Sequence, residues 1–298
     1  MPVRAVSEVI ALTAELRLAI QTLLLPGRDL HEQFANAARF GFDAVEVPVG
    51  PTFDLTERLA EVAAASAASG LPIAAICTHP IHDPLQPDTD ERRRRFAALT
   101  VLLAQAEELG AAGVVSVPLR PSRGYASLAE QEETVARLTD LAVDEFGRWA
   151  ESLPAGAAAV FLEPLNRFEA SFLTTVGQAA GIARRVGSPR VLALADLFHM
   201  NIEEDDLSQP IRDAGSLLGH VHIADNNRLQ PGAGCLLFEP PFAALREIGY
   251  AGYLSIECFS LAGPRIAGDP QVSLPETVRF LRDRWATATV GSLAGVAD

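Results

Sequence analysis

Cysteine is scarce: Cys77, Cys235 and Cys258 are the only three in 298 residues. An odd number at wide spacing supports neither a disulfide framework nor a cysteine-based metal site. Cys77 and Cys258 close apolar runs and read as small buried residues, and a reducing compartment is the simple inference. Positive charge is also short. Arginine and lysine total 24 against 38 acidic residues, a formal charge of −14. Phosphate neutralisation needs clustered basic side chains, so no nucleic-acid partner is expected. The single basic run, Arg92 to Arg95, follows Asp90 and Glu91 in a helical pattern and reads as a solvated helix face. No apolar stretch is long and charge-free enough to span a bilayer. Glu8, Glu15 and Arg17 interrupt the apolar N-terminal stretch, which argues against a signal peptide. The expectation is a cytoplasmic protein with no membrane partner. A glycine-rich phosphate turn is missing as well. "LLLPGRDL", after the first apolar run, has one glycine, where a dinucleotide-binding doubly wound sheet usually has several.

What is present is ordinary globular composition, 49% hydrophobic and 21% charged, arranged in a regular alternation. Eight short apolar runs recur: "LRLAIQTLLL", "FDAVEVP", "LPIAAICTH", "GVVSVPL", "AAVFLEP", "VLALADLFH", "GHVHIAD" and "YLSIECF". Between them lie segments with helical spacing, such as "DLHEQFANAARF" and "FDLTERLAEVAAASAAS". Gly41, Gly70, Gly110 and Gly187 stand where helices should stop. Near-continuous apolar strands alternating with helices imply parallel strands covered by helices. Eight such units in a chain of this length predict an α/β fold, a (β/α)8 TIM barrel. A doubly wound open sheet is the alternative. No linker divides the chain, so residues 1–298 are expected to form one domain. Its barrel core spans about 16–288, and a small-residue tail over 289–298 is expected to fray.

In such a barrel the active site forms at the C-terminal ends of the strands. The fifth run ends on Glu163 and the sixth on Asp196. The seventh carries His220 and His222, and the eighth carries Glu257. Four consecutive strands thus offer two carboxylates, an imidazole and a third carboxylate. Three carboxylates gathered together repel one another and raise each other's pKa. A divalent cation resolves the conflict, and an oxygen-rich set with one imidazole suits Mn²⁺, with Mg²⁺ or Co²⁺ as alternatives. The competing reading has each residue capping a turn or pairing with an arginine. The acidic stretch from Glu203 to Asp206 reads as a helix start. Glu46, at the end of the second run, is expected to face inward and touch substrate. His79 and His82 follow the third run as candidate substrate contacts or plain turn residues. His220 should lie one layer beneath His222, as a satisfied interior residue. Asn166 is expected to organise its turn, Phe259 to form an apolar wall beside the metal, and Arg228 to pair with Asp225 or reach substrate.

From Glu163 to Glu257 the chain resembles the xylose isomerase-like sugar isomerase and epimerase superfamily. Within it the similarity is to the D-tagatose and D-psicose 3-epimerase branch. "EPLNRFE", "DLFHMNIEE", "HVHIADNNR", "PGAG" and "GYLSIE", with the gaps between them, carry the resemblance. It implies that Glu163, Asp196, His222 and Glu257 bind the metal and that Glu163 and Glu257 form the acid/base pair. It also implies that Glu169, His199 and Arg228 contact substrate. The expected reaction is ketose 3-epimerisation. A proton next to a ketone is removed, a cis-enediolate forms, and a proton returns to the other face. Transfer between C1 and C2 would make an aldose–ketose or hydroxypyruvate isomerase. Elimination would make a keto-sugar or inosose dehydratase, or a C-glycoside-cleaving lyase subunit. A small sugar is the expected partner, and the apolar C-terminal helix suits either core packing or the interface of a homodimer or homotetramer. Two loops depart from the branch. "IQTLLLPGRDL" lacks its aromatic-rich stretch, and "PLRPSRGYASL" lacks its tryptophan. The second loop carries Arg120 and Arg123, which suit an anionic substrate.

Overall fold

The computed structural model describes residues 15–118 and 124–288. Eight parallel strands close on themselves in chain order: β1 (Leu18–Gln21), β2 (Ala44–Val49), β3 (Ile73–Thr78), β4 (Gly113–Ser116), β5 (Ala159–Leu162), β6 (Val191–Asp196), β7 (Leu218–Ile223) and β8 (Leu254–Ile256). Closure comes from β1, which pairs with both β2 and β8. Each apolar run noted above contributes one strand. Their outward faces lie under helices and their inward faces fill the barrel, so neither face favours polar residues.

The helices are α1 (Leu30–Phe40), α2 (Leu55–Ser69), α3 (Thr89–Glu108), α4 (Leu128–Ser152), α5 (Val176–Val186), α6 (Leu197–Glu203), α7 (Gln209–Ala214), α8 (Glu239–Glu247) and α9 (Pro270–Thr287). Their starts are written into the sequence. The side chains of Asp29, Asp54, Asp88, Ser127 and Thr175 each accept a hydrogen bond from a backbone N–H in the first turn of the following helix, satisfying donors that have no intrahelical partner. Gly41, Gly70 and Gly187 close α1, α2 and α5 in left-handed backbone, the conformation that disfavours a Cβ. Arg93, Arg94 and Arg95 pair with Asp90 and Glu91 on α3, and Arg92 with Glu145 on α4. The basic run is thus internally neutralised.

One helix start differs from expectation. α6 begins directly after Asp196 and ends at Glu203, so the acidic stretch terminates a helix instead of opening one. The reason is Asp196 itself, whose side chain caps the helix and lets it begin immediately at the strand end.

The barrel interior is filled in layers. Ala19, Ala44 and Ala74 pack together with Tyr253, and Phe161 packs with Ala75, Cys77, Val115, Ala159 and Leu194. Phe161 needs room that Gly113 and Gly219 supply. A Cβ on Gly219 would lie 2.6 Å from the Phe161 ring. Leucine, isoleucine, valine and phenylalanine fill the larger layer between strands and helices. Among the described residues, no helix is long and apolar enough to cross a membrane. Arg120, Arg123 and the tail over 289–298 lie outside the described residues.

Candidate active site

The strand-end residues converge. Glu163 directly follows β5, Asp196 ends β6, His222 lies in β7 and Glu257 directly follows β8. One ligand atom from each of the four lies within 4.8 Å of the other three. His222 Nδ1 is 3.3 Å from a Glu163 oxygen and 3.6 Å from a Glu257 oxygen. Strand register contributes directly, because Asp196 pairs with His222 across β6 and β7. All four side chains are buried.

This packing drives the ionisation states apart. Burial and the neighbouring Glu257 carboxylate push Glu163 up to about 8. Burial also opposes charge on Glu257, but His222 and Arg228 outweigh it and hold that carboxyl down at about 2. Burial would lower His222, yet Glu46, Glu257 and Glu163 together raise it well above the usual imidazole range. The donors therefore compete for positive charge, which a divalent cation supplies in one ion. Three carboxylates and one imidazole fit Mn²⁺, Mg²⁺ or Co²⁺ and fit a thiophilic metal poorly.

Asp196 uses its two oxygens differently. Oδ1 accepts from the backbone N–H groups of Phe198 and His199 and so caps α6. Oδ2 takes no part in the cap and is 3.8 Å from His199 Nε2. Capping and cation-holding, posed as alternatives from the sequence, are compatible here.

His199 is 1% exposed, and its Nδ1 accepts from the Asn166 backbone N–H at 3.1 Å. A neutral imidazole accepting at Nδ1 carries its proton on Nε2. Burial lowers its pKa, which favours that neutral form. Nε2 is buried without a hydrogen-bond partner. A buried donor in that condition is costly unless something fills it. Asn166 organises the loop as expected, with Oδ1 accepting from Phe168 N–H and Nδ2 donating to Glu169 Oε1.

Arg228 pairs with Glu169 at 2.7 Å and not with Asp225. The Asp225 carboxylate is occupied by the backbone N–H groups of Asn226, Gly232 and Leu236. The Arg228 guanidinium lies 4.9 Å from the Phe198 ring centre and 5.2 Å from that of Phe259. Phe259 thus clamps the arginine at the rim. Arg228 also holds a left-handed backbone, φ 60°, a conformation costly for a side-chain-bearing residue and often found at binding sites.

The other candidates lie outside the four-residue cluster, Glu46 directly behind His222. His79 is exposed, and its ring nitrogen accepts from Ile81 N–H to cap a short 3-10 turn. His82 lines a cleft between the start of α2 and α3, with Phe53 and Leu102. Glu46 is fully buried, and its two oxygens face His220 and His222. His220 lies inside the barrel, stacked on Phe161 at 5.4 Å between ring centres. Two neighbours of the cluster escaped sequence reasoning. Gln21 donates to both Glu46 and Glu257, and the Cys77 sulfur is 3.8 Å from a Glu257 oxygen. The one signal for Gln21 was a polar residue inside an apolar run.

Comparison with known proteins agrees with this geometry. Residues 34–284 match the family model described as xylose isomerase-like TIM barrel. The 3-dehydro-D-guloside 4-epimerase of Escherichia coli (strain K12) is 34% identical over 257 residues, covering 84% of this chain and 93% of its own length. A D-psicose 3-epimerase of Agrobacterium fabrum is 41% identical over 111 residues, 37% of this chain and 38% of its own. The crystal structure of 3-keto-D-glucoside 4-epimerase from E. coli aligns with a TM-score of 0.76 at 28% identity, over 90% of this chain and 100% of that one. The chain belongs to the xylose isomerase-like TIM barrel family, and its named relatives there are sugar epimerases, isomerases that act on carbohydrates.

Proposed function

We propose that the protein is a divalent-metal-dependent ketose 3-epimerase. The observation that carries this reading is the meeting of two buried carboxylates, Glu163 from β5 and Glu257 from β8, at one nitrogen of His222. Glu163, Asp196, His222 and Glu257 would hold the cation. When bound, it would offset the negative charge that develops on the substrate's carbonyl oxygen as the adjacent C–H proton leaves.

The remaining work falls to the chain's own side chains. Glu163 and Glu257 come from strands separated by β6 and β7, so they approach the substrate carbon from different sides. One removes the proton and the other returns one to the opposite face, which inverts the carbon through a cis-enediolate. Their environments push their proton affinities apart, the usual mark of an acid/base pair. His199 Nε2–H donates to a substrate oxygen and fills its open bond. Arg228 and Glu169, already paired, orient sugar hydroxyls at the rim. A Schiff-base route is closed, because the chain contains no lysine.

A second reading moves the same chemistry one carbon along, as a 4-epimerase of 3-keto-glycosides. It is favoured by the Escherichia coli relative, which covers 84% of this chain, and by loops without the aromatic residues of the free-ketohexose branch. Product analysis decides. The Mn²⁺-restored protein is incubated with D-fructose, D-psicose, a ketose phosphate, hydroxypyruvate and a methyl 3-keto-glucoside, and NMR identifies each product. Epimers at C3 of the free ketoses support the first reading, and a C4 epimer of the keto-glycoside alone supports the second. An aldose, tartronate semialdehyde or a dehydrated product would overturn both.

A further inference from the structure

Glu46 is a carboxylate inside the barrel, 0% exposed, and among the described residues no arginine is bonded to it. Burying such a charge is costly unless its oxygens are fully engaged. Three donors engage it. His220 Nε2 is 2.7 Å from Oε2, His222 Nε2 is 3.1 Å from Oε1, and the Gln21 amide nitrogen donates to Oε1 at 2.9 Å. The same Gln21 nitrogen donates at 2.7 Å to Oε1 of Glu257. Register explains the contact, since Gln21 and Glu46 are direct neighbours across β1 and β2.

We propose that Glu46 and Gln21 are positioning residues for the metal centre, acting through His222 and Glu257. His222 Nδ1 faces Glu163 and Glu257, so it is the nitrogen that would hold a cation through its lone pair. The ring proton must then reside on Nε2, and Nε2 faces Glu46. The carboxylate fixes the tautomer and the ring plane, as outer-shell acceptors do for metal-ligating histidines. Gln21 spends one amide hydrogen on Glu46 and the other on Glu257. It thereby sets the distance between the carboxylate that holds the histidine and the carboxylate that moves the proton. The inference rests on the metal reading of the site.

Glu46→Gln tests it at constant volume. A carboxylate accepts all three donors. An amide has a single, neutral acceptor oxygen, so at best two of the three donors keep a weaker acceptor, and the third position is satisfied only if its histidine changes tautomer. Mn²⁺ affinity is measured by isothermal titration on chelator-stripped protein, beside a thermal melt of the same sample. Glu46→Gln is expected to weaken Mn²⁺ binding roughly ten- to hundredfold. His220→Leu, which removes the other imidazole from Glu46, should leave it within about threefold of the native protein, since the bond to His222 remains. Gln21→Leu keeps Glu46 charged, and covers the case in which Glu46→Gln does not fold. It should weaken Mn²⁺ binding and lower kcat while KM changes little. A folded Glu46→Gln, or failing that Gln21→Leu, with native Mn²⁺ affinity would overturn the proposal and leave Glu46 a structural pair of His220. Asp196→Ala separates the two levels. If the native protein binds no Mn²⁺, or Asp196→Ala binds it equally well, the metal reading has failed and this inference fails with it.

Discussion

Single atoms decide what this site can do. His199 is the sharpest case: one ring nitrogen is satisfied by Asn166 and the other is buried and open. Replacing it by alanine should lower kcat/KM by roughly 10- to 100-fold, the cost of one hydrogen bond from a buried donor. The loss should appear only with substrates carrying the oxygen it meets, which deoxy-sugar kinetics would reveal. Ionisation at Glu163 and His222 has a consequence for stability. Both have folded pKa values raised above their unfolded ones. Each therefore stabilises fully below its unfolded pKa and less as pH rises through the folded one. His199 and His220 are shifted down and act in the opposite sense, below the ordinary imidazole pKa. Chelator-stripped protein should therefore lose stability between about pH 6.5 and 8. With Mn²⁺ added the trend should reverse, because metal binding needs those donors deprotonated. Melts at the two pH values, with and without metal, measure both slopes. The four cluster residues were legible because a charge at the end of an apolar run stands out. Gln21 and Glu46 were not legible as partners, since their contact depends on which residues of β1 and β2 lie side by side. Nor could sequence show that Arg228 would choose Glu169 over Asp225.

At the level of the element, β5, β6, β7 and β8 each contribute one group to the cluster, from the strand or the residue directly after it. The strands therefore tolerate little change in interior volume. Gly219→Ala would put a methyl group 2.6 Å from Phe161, which itself stacks on His220. The expected loss is about 1–3 kcal/mol, the usual cost of overpacking. A lower urea midpoint at unchanged slope would show it. Alternation in the sequence exposed the strands, and glycine stops with Asp, Ser and Thr starts exposed most helix ends. α6 was misplaced because "DLFHMNIEE" continues an apolar run with no break. Only the double use of Asp196, as strand end and helix cap, separates the two elements.

For the whole molecule, the topology was legible because βα units repeat eight times and leave few ways to cover both faces of each strand. What stayed hidden was everything set by closure, above all the contact of β1 with β8 that brings Gln21 to Glu257. A cation linking β5, β6, β7 and β8 would tie half the barrel together. Mn²⁺ at a hundredfold excess over its Kd should add about 2.7 kcal/mol of stability. For a chain of this size that raises the melting temperature on the order of 5 °C, and a chelator should reverse it. An unchanged melting temperature would mean the cluster holds no cation.

If this cluster moves a proton at the carbon beside a ketone, that carbon exchanges with solvent, and the exchange can be watched. Stripped and Mn²⁺-restored protein are incubated in D₂O with D-psicose and a methyl 3-keto-glucoside, and the C–H signals are followed by NMR. Deuterium should enter at the carbon next to the ketone in the restored protein alone, with Glu257→Gln slower by roughly 10²- to 10⁴-fold. Epimer formation without deuterium uptake, or equal exchange after chelation, would contradict proton transfer by this cluster.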